Sequence, residues 1–289
     1  MKPPLFDFQR ARSVDHAIAL LGEHGDEAKL IAGGQSLMAS LNFRLSSPDL
    51  LIDITRLDDL RGIGTGADGL RLGALTRHSE ILRSEVVARA APLMTAAAPH
   101  IAHEAIRNRG TIGGSIAFAD PAAEWPACAL ALDASIEIAG PAGIRRVPAT
   151  DFFQGLYETD LGPGELVRAV HVPTRPAGER HRFQELTRRH GDYAIVGLAA
   201  LAVWRDGRLA TPRLAFFGVG ASPMLATAAM AELDGSPGDD AALARACEAL
   251  TAELDPFDDL NASAELRRHL ARTLLRRAVA TLTGEGADA

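Results

Sequence analysis

The chain has 289 residues, 47% of them hydrophobic, and a formal net charge of −7. Its basic clusters, Arg188-Arg189-His190 and Arg276-Arg277 among them, are short, so neither a nucleic-acid backbone nor an anionic membrane surface meets a matching patch. The opening MKPPLFDFQRARS lacks an apolar run of signal-peptide length, and the longest apolar run, residues 194–204, contains Gly197 and falls short of the ~20 residues of a spanning helix. A soluble, cytoplasmic protein with no membrane span is expected. Cys128 and Cys247, the only cysteines, lie among Ala and Leu in helical patterns. They read as buried free thiols, and two thiolates are too few to hold an iron–sulfur cluster on this chain.

Ser13 is placed to cap a helix whose Val14, Ala17, Ile18 and Leu21 share a face, with Gly22 and Gly25 ending it. Residues 29–32 read as a strand, residues 36–43 as a helix and residues 50–54 as a buried strand, which makes a small α/β unit. Residues 61–74 read as a hairpin that turns at Ala67-Asp68-Gly69, with Leu70 and Leu72 alternating around Arg71. Helices are expected over 79–84 and 86–98, and again from Asp120 as N-cap and Pro121 as first helical residue to Leu132. Residues 135–139 alternate as a strand, and a turn at 141–143 leads into residues 144–147. Pro and Gly cluster over 173–178 and mark a boundary. Beyond it come strands over 182–186, 194–204 and 213–219, a turn at Asp206-Gly207, and helices. The last helix, over 263–283, carries Leu266, Leu270 and Leu274 on one face, extended by Leu275 and Val279.

Two glycine-rich turns carry the chemistry. Ala32-Gly33-Gly34-Gln35-Ser36 stands between a strand and a helix, and Thr111-Ile112-Gly113-Gly114-Ser115 stands before the helix expected after Asp120. A backbone without Cβ atoms can approach a diphosphate closely, and a helix N-terminus offers N–H groups and a positive dipole end. Two such turns suit the two sides of one dinucleotide. Gln35 is suited to donate to a phosphate or accept from a backbone N–H, and Glu124 to accept from ribityl or ribose hydroxyls. Blander readings stand beside these: Gly33-Gly34 as a tight turn, Asp120 as a plain N-cap, Glu124 as a solvated helix residue, and Tyr193 as a core filler rather than a stacking partner. Gly64-Thr65-Gly66-Ala67-Asp68-Gly69 matches G-x-G-x-x-G, but it lies inside a hairpin instead of opening a helix, so it is not a nicotinamide-dinucleotide site. His100, His103 and Glu104 follow neither zincin order, and no metal site is expected there.

AGGQSL at 32–37, LIDI at 51–54 and IRNRGTIGGSIAFADPAAE at 106–124 resemble the FAD-binding medium subunit of the molybdenum hydroxylases, the group of xanthine dehydrogenase and aerobic carbon monoxide dehydrogenase. Residues 163–167 and 191–197 resemble further segments of that family. The closing helix does too, with Leu266 where Tyr is common in the family. The resemblance implies an α+β fold. A two-part FAD-binding domain of the vanillyl-alcohol-oxidase (PCMH) type would occupy 1–175, with subdomains of about 1–57 and 58–175, and a smaller α+β domain would occupy 178–285. It implies cofactor contacts at Ala32, Gly33, Gly34, Gln35, Ser36, Leu37, Thr111, Gly113, Gly114, Ser115, Asp120, Glu124, Leu166 and Tyr193, with Glu124 at the ribityl chain and Tyr193 near the isoalloxazine ring. Neither turn has a His or Cys to form a covalent link, so FAD is expected to be non-covalent.

The resemblance also implies a role: taking electrons from a small 2Fe-2S subunit and passing them to a quinone, NAD or oxygen, while a large molybdopterin subunit oxidises the substrate. It implies no substrate-oxidising acid or base on this chain, and assembly as a dimer of heterotrimers. Two rival readings are a self-sufficient FAD-dependent oxidase and a non-catalytic assembly subunit. The first needs a substrate domain that the C-terminal part is too small and too apolar to supply. The second fits poorly with two intact glycine pairs.

Overall fold

The computed structural model describes residues 2–284; the outermost expected domain limits, residues 1 and 285, lie outside the described residues. The chain forms three main sheets in succession. The first is a parallel three-stranded sheet in which Leu50–Asp53 lies between Asp7–Arg10 and Ala28–Ile31. Leu50–Asp53 is buried along its whole length, as expected of the central strand of a small parallel sheet. Ser13 caps helix Val14–His24, its hydroxyl accepting from the His16 N–H. The helix runs through Gly22 and stops only at Gly25, whose φ of +54 is the left-handed region that favours glycine.

The second sheet is antiparallel and five-stranded, in the order Ile63–Gly66, Gly69–Gly73, Leu166–Val172, Ser135–Gly140, Gly143–Pro148. Its central strand, Leu166–Val172, returns from far along the chain, and no pattern in the sequence reading assigned it. Short helices cover this sheet. The helix expected over 86–98 is two helices, Glu85–Ala90 and Pro92–Ala97. Ala91 leaves the helical region (φ −147, ψ 65), because Pro92 disfavours an αR residue before it and has no N–H to continue the ladder.

The third sheet is antiparallel, in the order Glu179–Leu186, Val196–Arg205, Arg208–Phe217, Met224–Leu225. Helices Thr227–Leu233, Asp240–Glu253 and Ala264–Thr283 cover one face, and their buried side chains share a core with Val196, Leu198 and Phe216. The opposite face contributes Phe183, Ala199, Leu201 and Phe217 to the core of the second sheet. Burial on both faces explains the almost unbroken apolar run at 194–204.

Candidate functional site

A cavity of about 720 Å³ opens where the three parts meet. Its walls come from the turn after Ala28–Ile31, helix Ile112–Phe118, the segment at 161–167 and the loop at 191–193. Ala32, Gly33, Gly34, Gln35, Ser36 and Leu37 line one side; Thr111, Gly113, Gly114 and Ser115 line another. Asp120, Glu124, Leu166 and Tyr193 complete it. The structure therefore brings every residue proposed for the cofactor to one space.

The local geometry departs from the sequence reading in three ways. First, the glycines at 33 and 113 are required by protein packing. A methyl group on Gly33 would lie 2.2 Å from the Arg109 carbonyl oxygen, and one on Gly113 would lie 2.4 Å from the Ala74 Cβ. Gly34 sits at φ +71, the left-handed region that favours glycine, and Gly114 meets only the Thr111 hydroxyl oxygen, at 3.0 Å.

Second, the Thr111–Ser115 segment is not a loop. Ile112–Phe118 is helical, with Thr111 as N-cap accepting from the Gly114 N–H at 3.2 Å. The Ile112 N–H donates to the Thr76 carbonyl, the Gly113 N–H to the Ala74 carbonyl and the Ser115 N–H to the Thr111 carbonyl. Its N-terminal donors are thus consumed by the fold. In the Ala32–Ser36 turn the reverse holds: the N–H groups of Gly33, Gly34, Gln35 and Ser36 have no acceptor among the described residues, while the Gln35 amide donates to the Gly33 carbonyl at 2.8 Å. Four successive free donors on a cavity wall are suited to an anion.

Third, Asp120 does not cap the next helix. That helix is Glu124–Ala131, with Ala123 at its N-cap. Asp120 instead closes a turn, its carboxylate accepting from the Ala122 N–H at 2.9 Å, and burial raises its pKa. Glu124 is the first residue of the helix. Burial pushes its carboxyl up to about 8, the negative charges of Glu185 and Asp120 adding to the effect against the lowering by its own N–H. At neutral pH Glu124 is mostly a neutral acid, able to donate as well as accept, rather than the plain acceptor read from sequence.

Sequence reasoning missed two supports of the cavity. His78 is buried and accepts from the Trp125 indole N–H at 2.8 Å; burial, then the charge of Arg107, hold its pKa down to about 4, so the ring is neutral. Arg145 holds the wall segment at 160–165: its Nε donates to Glu165 at 2.8 Å, its other nitrogens to Glu165 and Asp160 at 2.5–2.6 Å, and Glu165 in turn accepts from the Gly162 N–H at 2.7 Å. No motif announces either residue, because each acts on a segment distant in sequence. Tyr193 is exposed on the cavity rim, and its phenol is shifted upward, by partial desolvation first and then by the charge of Asp120. His100, His103 and Glu104 form no metal cluster, and none was found among the described residues. Cys128 and Cys247 are buried free thiols.

Residues 4–175 match the FAD binding domain in molybdopterin dehydrogenase, and residues 181–282 match the CO dehydrogenase flavoprotein C-terminal domain. The chain belongs to the FAD-binding medium subunits of the molybdenum hydroxylases. It is 41% identical to the 6-hydroxypseudooxynicotine dehydrogenase complex subunit alpha of Paenarthrobacter nicotinovorans, over 97% of this chain and 95% of that one. It is 35% identical to the carbon monoxide dehydrogenase medium chain of Hydrogenophaga pseudoflava, over 96% and 97%. Among solved structures, carbon monoxide dehydrogenase of Hydrogenophaga pseudoflava superposes with a TM-score of 0.95 at 37% identity, covering 98% of each chain. Quinoline 2-oxidoreductase from Pseudomonas putida 86 superposes with a TM-score of 0.93 at 37% identity, covering 100% of each. This medium subunit is thus an oxidoreductase component whose cofactor is FAD. No helix among the described residues is long and apolar enough to cross a membrane.

Proposed function

We propose that one FAD binds non-covalently in this cavity and that the chain serves as the electron outlet of a molybdenum hydroxylase. The observation that carries the reading is the run of four free N–H groups, Gly33 to Ser36, on the wall of a cavity of about 720 Å³. Those donors would hold the diphosphate. Ser115, Asp120 and Glu124 would meet the polar ribityl chain, and Leu166 with the exposed face of Tyr193 would border the ring system. Bound FAD supplies the exchange between single electrons and electron pairs; the protein positions it, keeps water from its buried edge and sets the local charge. The lining holds no Cys, and its one His, His78, is engaged by Trp125, which favours non-covalent attachment. The FAD-binding part is taken as residues 1–175, divided near residue 57, and the C-terminal part as 178–285.

In this reading a small 2Fe-2S subunit delivers electrons, a large molybdopterin subunit oxidises the substrate, and two such trimers pair. The outlet passes electrons to a quinone, NAD or oxygen, in a cytoplasmic setting. The test is direct. The purified chain should show a flavin absorption spectrum released intact by acid, and should oxidise no organic substrate until the partner subunits are added. Substrate turnover by the chain alone would overturn this division of labour.

A further inference from the structure

His78 carries a nitrogen that the fold leaves unused. The residue is 6% exposed and stands in the wall of the cavity. The Trp125 indole N–H donates to its Nδ1 across 2.8 Å, with the ring centres 5.9 Å apart and the rings tilted by 54°. An indole nitrogen is a donor only, so Nδ1 is the accepting, unprotonated nitrogen and the proton of the ring sits on Nε2. That Nε2–H has no acceptor among the described residues. Among those residues, the side-chain polar atoms sealed in protein without a partner belong to Thr95, Glu185 and Arg267. Nε2 is open instead, and the open space beside His78 is the cavity. A donor on a side chain this deeply buried, left without an acceptor in the chain, points to a partner from outside it.

Backbone contacts place this donor beside the first glycine-rich turn. The His78 N–H donates to the Gly110 carbonyl at 3.0 Å, and a methyl group on Gly110 would stand 2.5 Å from His78 Nε2. Gly110 in turn lies against Gly33, where an added methyl group would come within 2.8 Å of the Gly110 α-carbon. His78, Gly110 and Gly33 all line the cavity. Only Gly110 therefore separates Nε2–H from Gly33, the first of the four successive free N–H groups.

We propose that His78 is a cofactor ligand: its Nε2–H donates to the diphosphate held by Gly33 to Ser36, and Trp125 fixes the tautomer that aims it there. The proposal rests on the cavity being the FAD site. An imidazolium carries protons on both nitrogens and would set one of them against the Trp125 N–H, so the Trp125 bond keeps the ring uncharged. Burial, and then the charge of Arg107, act in the same direction. Arg107 is itself held nearby, donating to the carbonyls of Ile101 at 2.9 Å and Ala102 at 2.6 Å. The wall thus meets an anionic diphosphate with oriented neutral donors, four from the backbone and one from His78. Trp125 does not line the cavity; it acts through His78 as a positioning residue.

The test titrates the flavin-free full chain with FAD and with ADP, which carries the same diphosphate without the flavin. His78→Leu removes the donor and should weaken both ligands by roughly tenfold to a hundredfold, the range of a lost hydrogen bond to a charged group. His78→Gln, whose amide nitrogen can take the place of Nε2, should keep most of the affinity. Trp125→Phe leaves every cavity-lining residue in place and should weaken both ligands severalfold, because the ring is then free to carry its proton on Nδ1. Nuclear magnetic resonance of isotopically labelled histidine adds a readout that packing alone does not move. In the wild-type chain His78 should show a protonated Nε2 and an unprotonated Nδ1, and ADP should shift the Nε2 proton signal. A ring protonated on Nδ1, an Nε2 signal indifferent to ADP, or wild-type affinity in His78→Leu would each overturn the proposal. If His78→Leu fails to fold, the Trp125→Phe titration and the labelled wild-type chain still decide it. A wild-type chain that binds neither FAD nor ADP would instead remove the underlying cofactor reading.

Discussion

Gly33 and Arg109 touch through their backbones: a methyl group on Gly33 would stand 2.2 Å from the Arg109 carbonyl oxygen and 2.8 Å from the Gly110 α-carbon. The two glycine-rich segments thus brace each other, and the cavity lies beside their contact. Gly33→Ala forces backbone against backbone, where no flexible side chain can yield. The expected cost is about 1–3 kcal/mol of stability, with FAD affinity weakened because the free N–H groups move. Thermal unfolding and a flavin absorbance titration check both; an alanine variant with wild-type melting and affinity would show that the segments separate freely.

Thr111 holds the second segment by another means, its hydroxyl accepting from the Gly114 N–H. Thr111→Ala should cost about 0.5–2 kcal/mol, the usual value of a lost N-cap, while Thr111→Ser should retain most of it. Denaturant unfolding of the two variants reads the difference.

Much of this arrangement was legible in the sequence because local patterns report local structure. Ser13 capped its helix, Ala67-Asp68-Gly69 turned its hairpin, and the alternation at 135–139 made a strand. The two glycine pairs line one cavity, as their reading required, but the reason for the glycines was only partly visible. Gly33 and Gly113 answer to Arg109 and Ala74, and a close approach between distant chain segments leaves no mark in either one. For the same reason, nothing in IRNRGTIGGS shows that its N–H groups are spent on Thr76 and Ala74. The raised pKa of Glu124 comes from its burial first and then from Glu185, a residue of the third sheet. Asp120 before Pro121 matched a cap signal, yet it closed its own turn one step earlier.

Glu124 gives a pH signature. Its folded pKa, about 8, lies above the ordinary 4.5, so between those values the folded chain holds a proton that the unfolded chain has released. Stability from this group is therefore complete below about pH 4.5 and falls as pH rises through about 8. Glu124→Gln removes this dependence. Denaturation midpoints measured from pH 5 to pH 9 should show the variant gaining on wild type as pH rises; parallel curves would mean that Glu124 is ionised in the folded chain.

Arg145 should act on the cofactor without touching it. Its side chain is 38% exposed, so solvent screens its ion pairs, and Arg145→Gln should cost only about 0.5–1 kcal/mol of stability. The larger effect should fall on the cavity, because Glu165 and Asp160 lose the fork that fastens residues 160–165. FAD affinity is expected to drop severalfold. Arg145→Lys should not restore it, since an ammonium cannot make the paired bonds of a guanidinium. Equilibrium titration of the apoprotein with FAD decides.

The most direct measurement is a crystal structure of the chain grown with FAD. The expected result is one FAD in the cavity, its diphosphate on the N–H groups of Gly33 to Ser36 and its ring bordered by Leu166 and Tyr193. A diphosphate bound elsewhere, or those four N–H groups turned away from the ligand, would contradict the account.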